Sequence, residues 1–208
     1  HTDMKFDRID STLYINNRIK FCSKLKKGAL AIFNSNDIIT TSADSTLPFV
    51  QHRDILHLSG VDQEESILLL FPDVNDQKHR EILFLKETND LIAVWEGEKL
   101  NKEQAFETSG IKTVYWLDQF ETIFNALLAE SNCVYLNNNE HTRANTEGET
   151  REDRFITWFK NKYPTHITER SAPIMHQIRS EKHEIELALM QKACNITEAG
   201  FRRILKFI

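Results

Sequence analysis

The first half of the chain contains short apolar runs separated by polar connections. The runs at 29–33, 66–71 and 81–86 are rich in aliphatic residues, and each predicts a buried strand. A shorter β-like piece is predicted at 38–41 and a further strand at 91–95. Because the connections between the later runs are short, we expect these strands to form an antiparallel portion of a sheet.

Other segments carry apolar residues at helical spacing. The first is 11–27, whose apolar positions are Ile15, Ile19, Cys22 and Leu25. Basic residues crowd its last turn and Gly28 follows, which predicts that the helix ends there.

Helices and strands alternate in the second half of the chain. The predicted helices are 101–109, 118–127 and 152–163, and the predicted strands are 113–117, 133–136 and 167–168. In the first of these helices Asn101 and Gln104 are the expected capping pair, and Gly110 is the expected stop. The segment 137–149 is polar without apolar periodicity, so it is predicted to be an exposed loop. The alternation argues for an α/β or α+β layer fold.

The last predicted helix begins at Ser180, which precedes the acidic residues Glu181 and Glu184. No stop signal comes before Ile208, so we expect the chain to be cut from a longer polypeptide. The apolar face of this helix is formed by Ile185, Leu189, Ala193, Ile196, Gly200 and Ile204.

Composition narrows the class of protein. The 208 residues are 40% hydrophobic and 27% charged, which is typical of a globular domain with one core. The net charge of −5, with dispersed basic residues, argues against a nucleic-acid partner. No apolar run reaches the roughly 18 residues of a membrane span, so no membrane partner is expected. The cysteines Cys22, Cys133 and Cys194 are far apart, which predicts buried reduced thiols in a cytoplasmic protein.

The polar stretch 41–60 lies between two of the predicted core strands. Such a loop is a usual place for a binding surface, and a solvated connection is the alternative. It resembles the SADSxxPaxQxSDaxaLTG segment of the N-terminal domain of aminopeptidase P, the Xaa-Pro aminopeptidases of the creatinase/prolidase N-terminal domain family. The chain departs from this pattern at Val50, where relatives often carry Arg, and at His52 and Arg53, which replace a small polar pair. The matching residues are Ser42–Ser45, Pro48, Phe49, Gln51, Asp54, Leu58 and Gly60.

Later segments resemble the same family in the same order. Residues 94–100 are similar to its WxGxRLG segment, and 113–124 to the strand and helix that follow. Residues 173–199, which include Arg179, are similar to its linker and the first helix of its catalytic domain. The resemblance implies a mixed β-sheet flanked by helices, with a ribonuclease H-like arrangement, over residues 4–170. Residues 171–208 would then be the linker and first helix of a missing pita-bread domain.

The resemblance also implies where the chemistry lies. The pita-bread domain of this family binds two divalent metal ions, usually manganese, through ligands that follow the position of Ile208. No catalytic residue and no metal ligand is therefore assigned in this chain, and we expect it to have no peptidase activity alone. The histidines, among them His52, His57, His176 and His183, are interpreted as surface or loop residues rather than ligands.

By the same resemblance, the domain shapes substrate access and builds a homo-oligomer, a dimer or tetramer. Asp44 and Trp95 would then contact the peptide substrate bound at a neighbouring subunit. The alternatives are a turn aspartate that bonds its own backbone and an aromatic residue of the core. Two other classes stay open: the N-terminal domain of a prolidase or creatinase, and a peptide-binding module without catalysis.

Overall fold

A computed structural model describes residues 9–89, 91–92, 99–143 and 148–207. Its centre is a six-stranded sheet in the order β4-β3-β2-β1-β5-β6. The neighbours β1–β2 and β2–β3 are antiparallel, and the other three pairs are parallel. The strands are β1 (Ala29–Asn34), β2 (Ile67–Leu70), β3 (Glu81–Leu85), β4 (Thr113–Trp116), β5 (Cys133–Leu136) and β6 (Thr168–Arg170).

Helices cover both faces of this sheet, which confirms the expected mixed sheet flanked by helices. None of them, in the part of the chain described, is long and apolar enough to cross a membrane. They are α1 (Thr12–Cys22), α2 (Arg53–Ser59), α3 (Lys102–Ser109), α4 (Phe120–Leu128), α5 (Arg151–Lys162), α6 (Ala172–Ser180) and α7 (Glu184–Ile204).

The alternation of side chains along the strands produces two apolar cores. In β1, Ala31 and Phe33 point to one face, while Leu30 and Ile32 point to the other. Helices α1, α2, α3 and α6 pack on the first face, and α4 and α5 pack on the second. Burial on both faces explains why the central strands are nearly continuous aliphatic runs.

The buried face of helix α1 differs from the prediction at Ile19, while Cys22 and Leu25 pack against the core as expected. Ile19, expected to point inward, is 60% exposed, whereas Phe21 and the charged Arg18 are fully buried. Burial of Arg18 is possible because its guanidinium is satisfied: Nη1 donates to the Leu58 carbonyl oxygen at 2.8 Å and Nε to Glu81 Oε1 at 2.9 Å. A helical pattern based on apolar residues alone misses a buried arginine of this kind.

The central stretch and the C-terminal region also differ from expectation. Residues 41–60 are not one loop, because α2 occupies Arg53–Ser59. Ser180 ends a separate helix, α6, and α7 begins four residues later, with the side chain of its N-cap residue His183 accepting from the Ile185 N–H. No residue of α7 is fully buried; Ile185 is half-buried, and the rest of the predicted apolar face is exposed.

Smaller corrections concern single positions. The β-like piece at 38–41 is only an isolated bridge between Thr40 and Thr46. Cys194 is exposed rather than buried. Of the strand predicted at 91–95, the first two residues are helical and the rest, including Trp95, lie outside the described residues. The helix predicted from residue 118 begins two residues later, at Phe120, because Asp118 lies in a short 3₁₀ turn.

Glycine 60 gives a test of the packing between α1 and α2. It ends α2 with φ of +70°, and a Cβ there would overlap the ring of Tyr14. We expect Gly60→Ala to lower the free energy of unfolding by about 2 kcal/mol or more, from backbone strain and overlap together.

The matched control is Gly200→Ala, because a Cβ at Gly200 meets no atom within 4 Å. This change should leave stability unaltered or raise it by up to about 1 kcal/mol through helix propensity. Urea unfolding of both variants measures the difference; equal effects would contradict the packing described.

Candidate functional site

A cleft of about 790 Å³ opens at one edge of the sheet. Its walls come from residues 50–54, 138–143 and 176–180, with Asn36 at one end. The strands β1 and β5 are parallel neighbours, and the chain enters the cleft just after each of them ends. In open α/β sheets this is the position where ligands bind, outside the carboxyl ends of the strands.

An ion pair crosses the base of the cleft. Arg179 Nη1, at the end of α6, donates to Asp54 Oδ1 in the first turn of α2 at 3.0 Å. The second carboxylate oxygen of Asp54 accepts from Asn137 Nδ2, also at 3.0 Å. Asp54 is 7% exposed and Asn137 4%, so the carboxylate lies largely out of water and accepts two charge-assisted hydrogen bonds. They connect α2, α6 and the end of β5.

A second layer of polar groups lies beneath this ion pair. Asn137 Nδ2 also donates to Glu152 Oε1 at 3.1 Å, and Glu152 Oε2 lies 3.3 Å from His52 Nε2. The N–H of Asp54 donates to His52 Nδ1 at 3.2 Å. Because Nδ1 is an acceptor, the proton of neutral His52 belongs on Nε2, where it faces Glu152.

Burial favours the neutral forms of both groups. It raises the pKa of Glu152 to about 8, against the hydrogen bond from Asn137, which lowers it. Burial also lowers the pKa of His52, although the charge of Asp54 opposes that shift. Asp54 and Arg179 therefore form the charged pair of the cluster, while His52 and Glu152 support it from below as neutral partners.

The two predicted substrate-contact residues do not join this cluster. Asp44 is exposed in a turn closed by the Thr40–Thr46 bridge. Its side chain forms no hydrogen bond or ion pair with another described residue, so it does not bond its own backbone there. Trp95 lies outside the described residues.

Sequence reasoning missed the cluster itself. Asp54 and Arg179 carried the family resemblance but no role, and Asn137 and Glu152 were not singled out. His52 lies in the loop just before α2, as expected, but its side chain is only 15% exposed and belongs to the buried cluster. One available signal was the position of Asn137 directly after a buried strand.

The prediction for His57 is wrong, because this residue lies within α2 and its side chain is only 11% exposed, with Nδ1 3.9 Å from Glu186 Oε1. His176 is exposed on the cleft wall, and His183 caps α7. Within the described ranges, no group of three or more His, Cys, Asp or Glu side chains is arranged to hold a metal ion.

The family model of the aminopeptidase P N-terminal domain matches residues 14–135. The chain is 26% identical to the Xaa-Pro aminopeptidase of Haemophilus influenzae over 160 residues, covering 76% of this chain and 34% of that protein. It is 23% identical to the Xaa-Pro aminopeptidase of Escherichia coli over 185 residues, covering 88% and 42%.

The fold agrees with a solved structure assigned as an aminopeptidase P from Bacillus anthracis. The TM-score is 0.83 at 24% identity, over 93% of this chain and 46% of that one. The chain thus spans less than half the length of these relatives. Fold and sequence together define the class as an α/β domain with a mixed six-stranded sheet flanked by helices. The chain belongs to the aminopeptidase P N-terminal domain family.

The protonation of Glu152 gives a test of the buried cluster. Its pKa is raised from an ordinary value of 4.5 to about 8 on folding, so the folded chain takes up a proton between these values. The free energy of unfolding should therefore fall as pH rises from about 5 to 8. Glu152→Gln removes this titrating group. The free energy of unfolding of the variant minus that of the parent should therefore increase by about 1–3 kcal/mol from pH 5 to pH 8.

Urea unfolding at several pH values measures the difference. Glu103→Gln, a change at an exposed glutamate of α3, controls for the lost charge. A difference between Glu152→Gln and the parent that does not vary with pH would show that Glu152 is charged in the folded chain.

Proposed function

We propose that the chain is the non-catalytic N-terminal part of a Xaa-Pro aminopeptidase, a hydrolase that removes the N-terminal residue before a proline. The observation that carries this proposal is the family match over residues 14–135, together with relatives that extend well beyond this chain. In the proposed protein, residues 4–170 form the N-terminal domain. Residues 171–208 form the linker and the first helix of the catalytic domain.

Hydrolysis belongs to the following domain in this proposal. The family is one of metalloenzymes, and two divalent ions, usually manganese, would activate the attacking water there. The role of the present chain is then to limit which substrates reach the active site and to build the oligomer. We place the whole protein in the cytoplasm, where its reduced thiols and the absence of a disulfide among Cys22, Cys133 and Cys194 are expected.

The ion pair of Asp54 and Arg179 supports the proposal that the first partner of this domain is its own catalytic domain. It ties the end of α6 to α2 only five residues before α7 begins at Glu184. At the start of α7, His183 Nε2 lies 3.3 Å from Asn16 Nδ2 of α1. A helix fixed at its first turn and exposed beyond it would carry the catalytic domain in a defined direction.

The exposed turn around Asp44 supports a role in substrate access. A carboxylate without an internal partner can bind the α-amino group of a peptide, which is a charge-assisted interaction. The indole of Trp95 would provide a flat apolar wall for the proline ring. In a homo-oligomer these residues would act on the peptide bound at a neighbouring subunit and would limit access to short substrates.

The full-length enzyme tests these assignments. We expect Asp44→Ala and Trp95→Ala each to lower kcat/KM on an Xaa-Pro dipeptide by about tenfold or more, the loss of one charge-assisted or aromatic contact. On a longer Xaa-Pro peptide, the decrease in kcat/KM should differ in size from the decrease on the dipeptide. Asp62→Ala, which removes an exposed aspartate outside this turn, is the control.

Unchanged kinetics of both variants on both substrates would remove Asp44 and Trp95 from the substrate path. The 208-residue chain alone, supplied with manganese, should give no turnover. Turnover above the blank would contradict the assignment of catalysis to the following domain.

A further inference from the structure

We propose that the cleft at the ends of β1 and β5 binds a small polyanion whose charged groups are carboxylates or phosphates. This inference rests on the cleft itself and not on the proposed peptidase function. Its volume of about 790 Å³ exceeds what a single inorganic ion fills and lies within the range of small-ligand sites.

The charge of the cleft walls is positive although the whole chain carries a net charge of −5. Its two acidic residues are already paired: Asp54 with Arg179, and Glu140 with Arg170. The guanidinium groups of Arg53 and Arg143 form no ion pair with any residue in the described ranges. Two arginine side chains without internal carboxylate partners therefore line the same cleft.

Two neighbouring polar side chains, Asn139 and His141, have their acceptor atoms occupied. Asn139 Oδ1 accepts from the His141 N–H at 3.2 Å, and His141 Nδ1 accepts from the Arg143 N–H at 3.1 Å. Both acceptor atoms are thus used by the backbone of the loop. The remaining groups are donors on residues that line the cleft: Asn139 Nδ2, and the Nε2–H of His141, which carries the hydrogen because Nδ1 accepts.

An anion suits this arrangement for a physical reason. Guanidinium groups match the paired oxygens of carboxylates and phosphates, and each such bond is stronger than a neutral one. The ion pair at the base of the cleft holds the walls in place before a ligand arrives. Binding therefore requires little reorganisation of α2 and α6.

Calorimetric titration of the 208-residue chain tests the proposal. The probes are a blocked tetra-aspartate peptide and tripolyphosphate, with a blocked tetra-lysine peptide as the negative control. We expect at least one anionic probe to bind and tetra-lysine not to bind. Raising sodium chloride from 50 to 500 mM should weaken binding, because charge pairs at an open cleft are screened.

Arg53→Gln and Arg143→Gln should each weaken binding by about three- to tenfold. Both residues are exposed, so thermal unfolding should stay at the parent midpoint. The matched control is Arg203→Gln, which removes an exposed arginine from α7, outside the cleft. It should bind like the parent.

The probes also separate the two sources of charge. Binding of the tetra-aspartate peptide alone identifies an acidic polypeptide as the ligand, and binding of tripolyphosphate alone identifies a phosphorylated ligand. Binding of both shows that the cleft selects its ligand by negative charge. Binding of neither anion would overturn the proposal. So would binding that both cleft variants leave unchanged, or that Arg203→Gln weakens as much as they do.

Discussion

The ion pair between Asp54 and Arg179 is the interaction on which the arrangement of the site depends. It joins two segments that are 125 positions apart, the first turn of α2 and the end of α6. The Asp54 side chain is 10% exposed and that of Arg179 is 33% exposed, so water screens the pair only in part. Two residues that carry the family resemblance, one in the central stretch and one in the linker, thereby become a single structural unit. The same contact forms the base of the cleft and fixes the point at which the chain departs toward α7.

A buried charge is tolerated here because every element around it contributes a partner. Asn137 follows β5, Glu152 lies in the first turn of α5, and His52 caps α2. Burial keeps His52 and Glu152 neutral, which avoids a third and a fourth charge beside Asp54. The sheet, with apolar cores on both faces, gives these groups a rigid support. The domain thus has a dense interior at one side of the cluster and an open, positively charged cleft at the other.

The strands were readily predicted from the sequence because burial on both faces demands continuous aliphatic runs, as in 67–70 and 133–136. The capping box of Asn101 and Gln104 was also legible, because its two hydrogen bonds are local. The seven-residue α2 was missed, since it is short and lies in a polar stretch. The cluster could not be predicted, because the burial of Glu152 depends on partners as distant as Asn137, 15 positions away, and the pairing of Asp54 depends on Asn137, 83 positions away. Local patterns do not contain contacts of that kind.

A double-mutant cycle between Asp54→Asn and Arg179→Gln tests the central claim most directly. Urea unfolding of the parent, the two single variants and the double variant yields the coupling free energy of the pair. If this interaction joins the central stretch to the linker, the coupling should be about 1 kcal/mol or more, and each single change should expose the amides of α6 to faster hydrogen exchange. A coupling within about 0.3 kcal/mol of zero, with unchanged exchange in α6, would contradict the account.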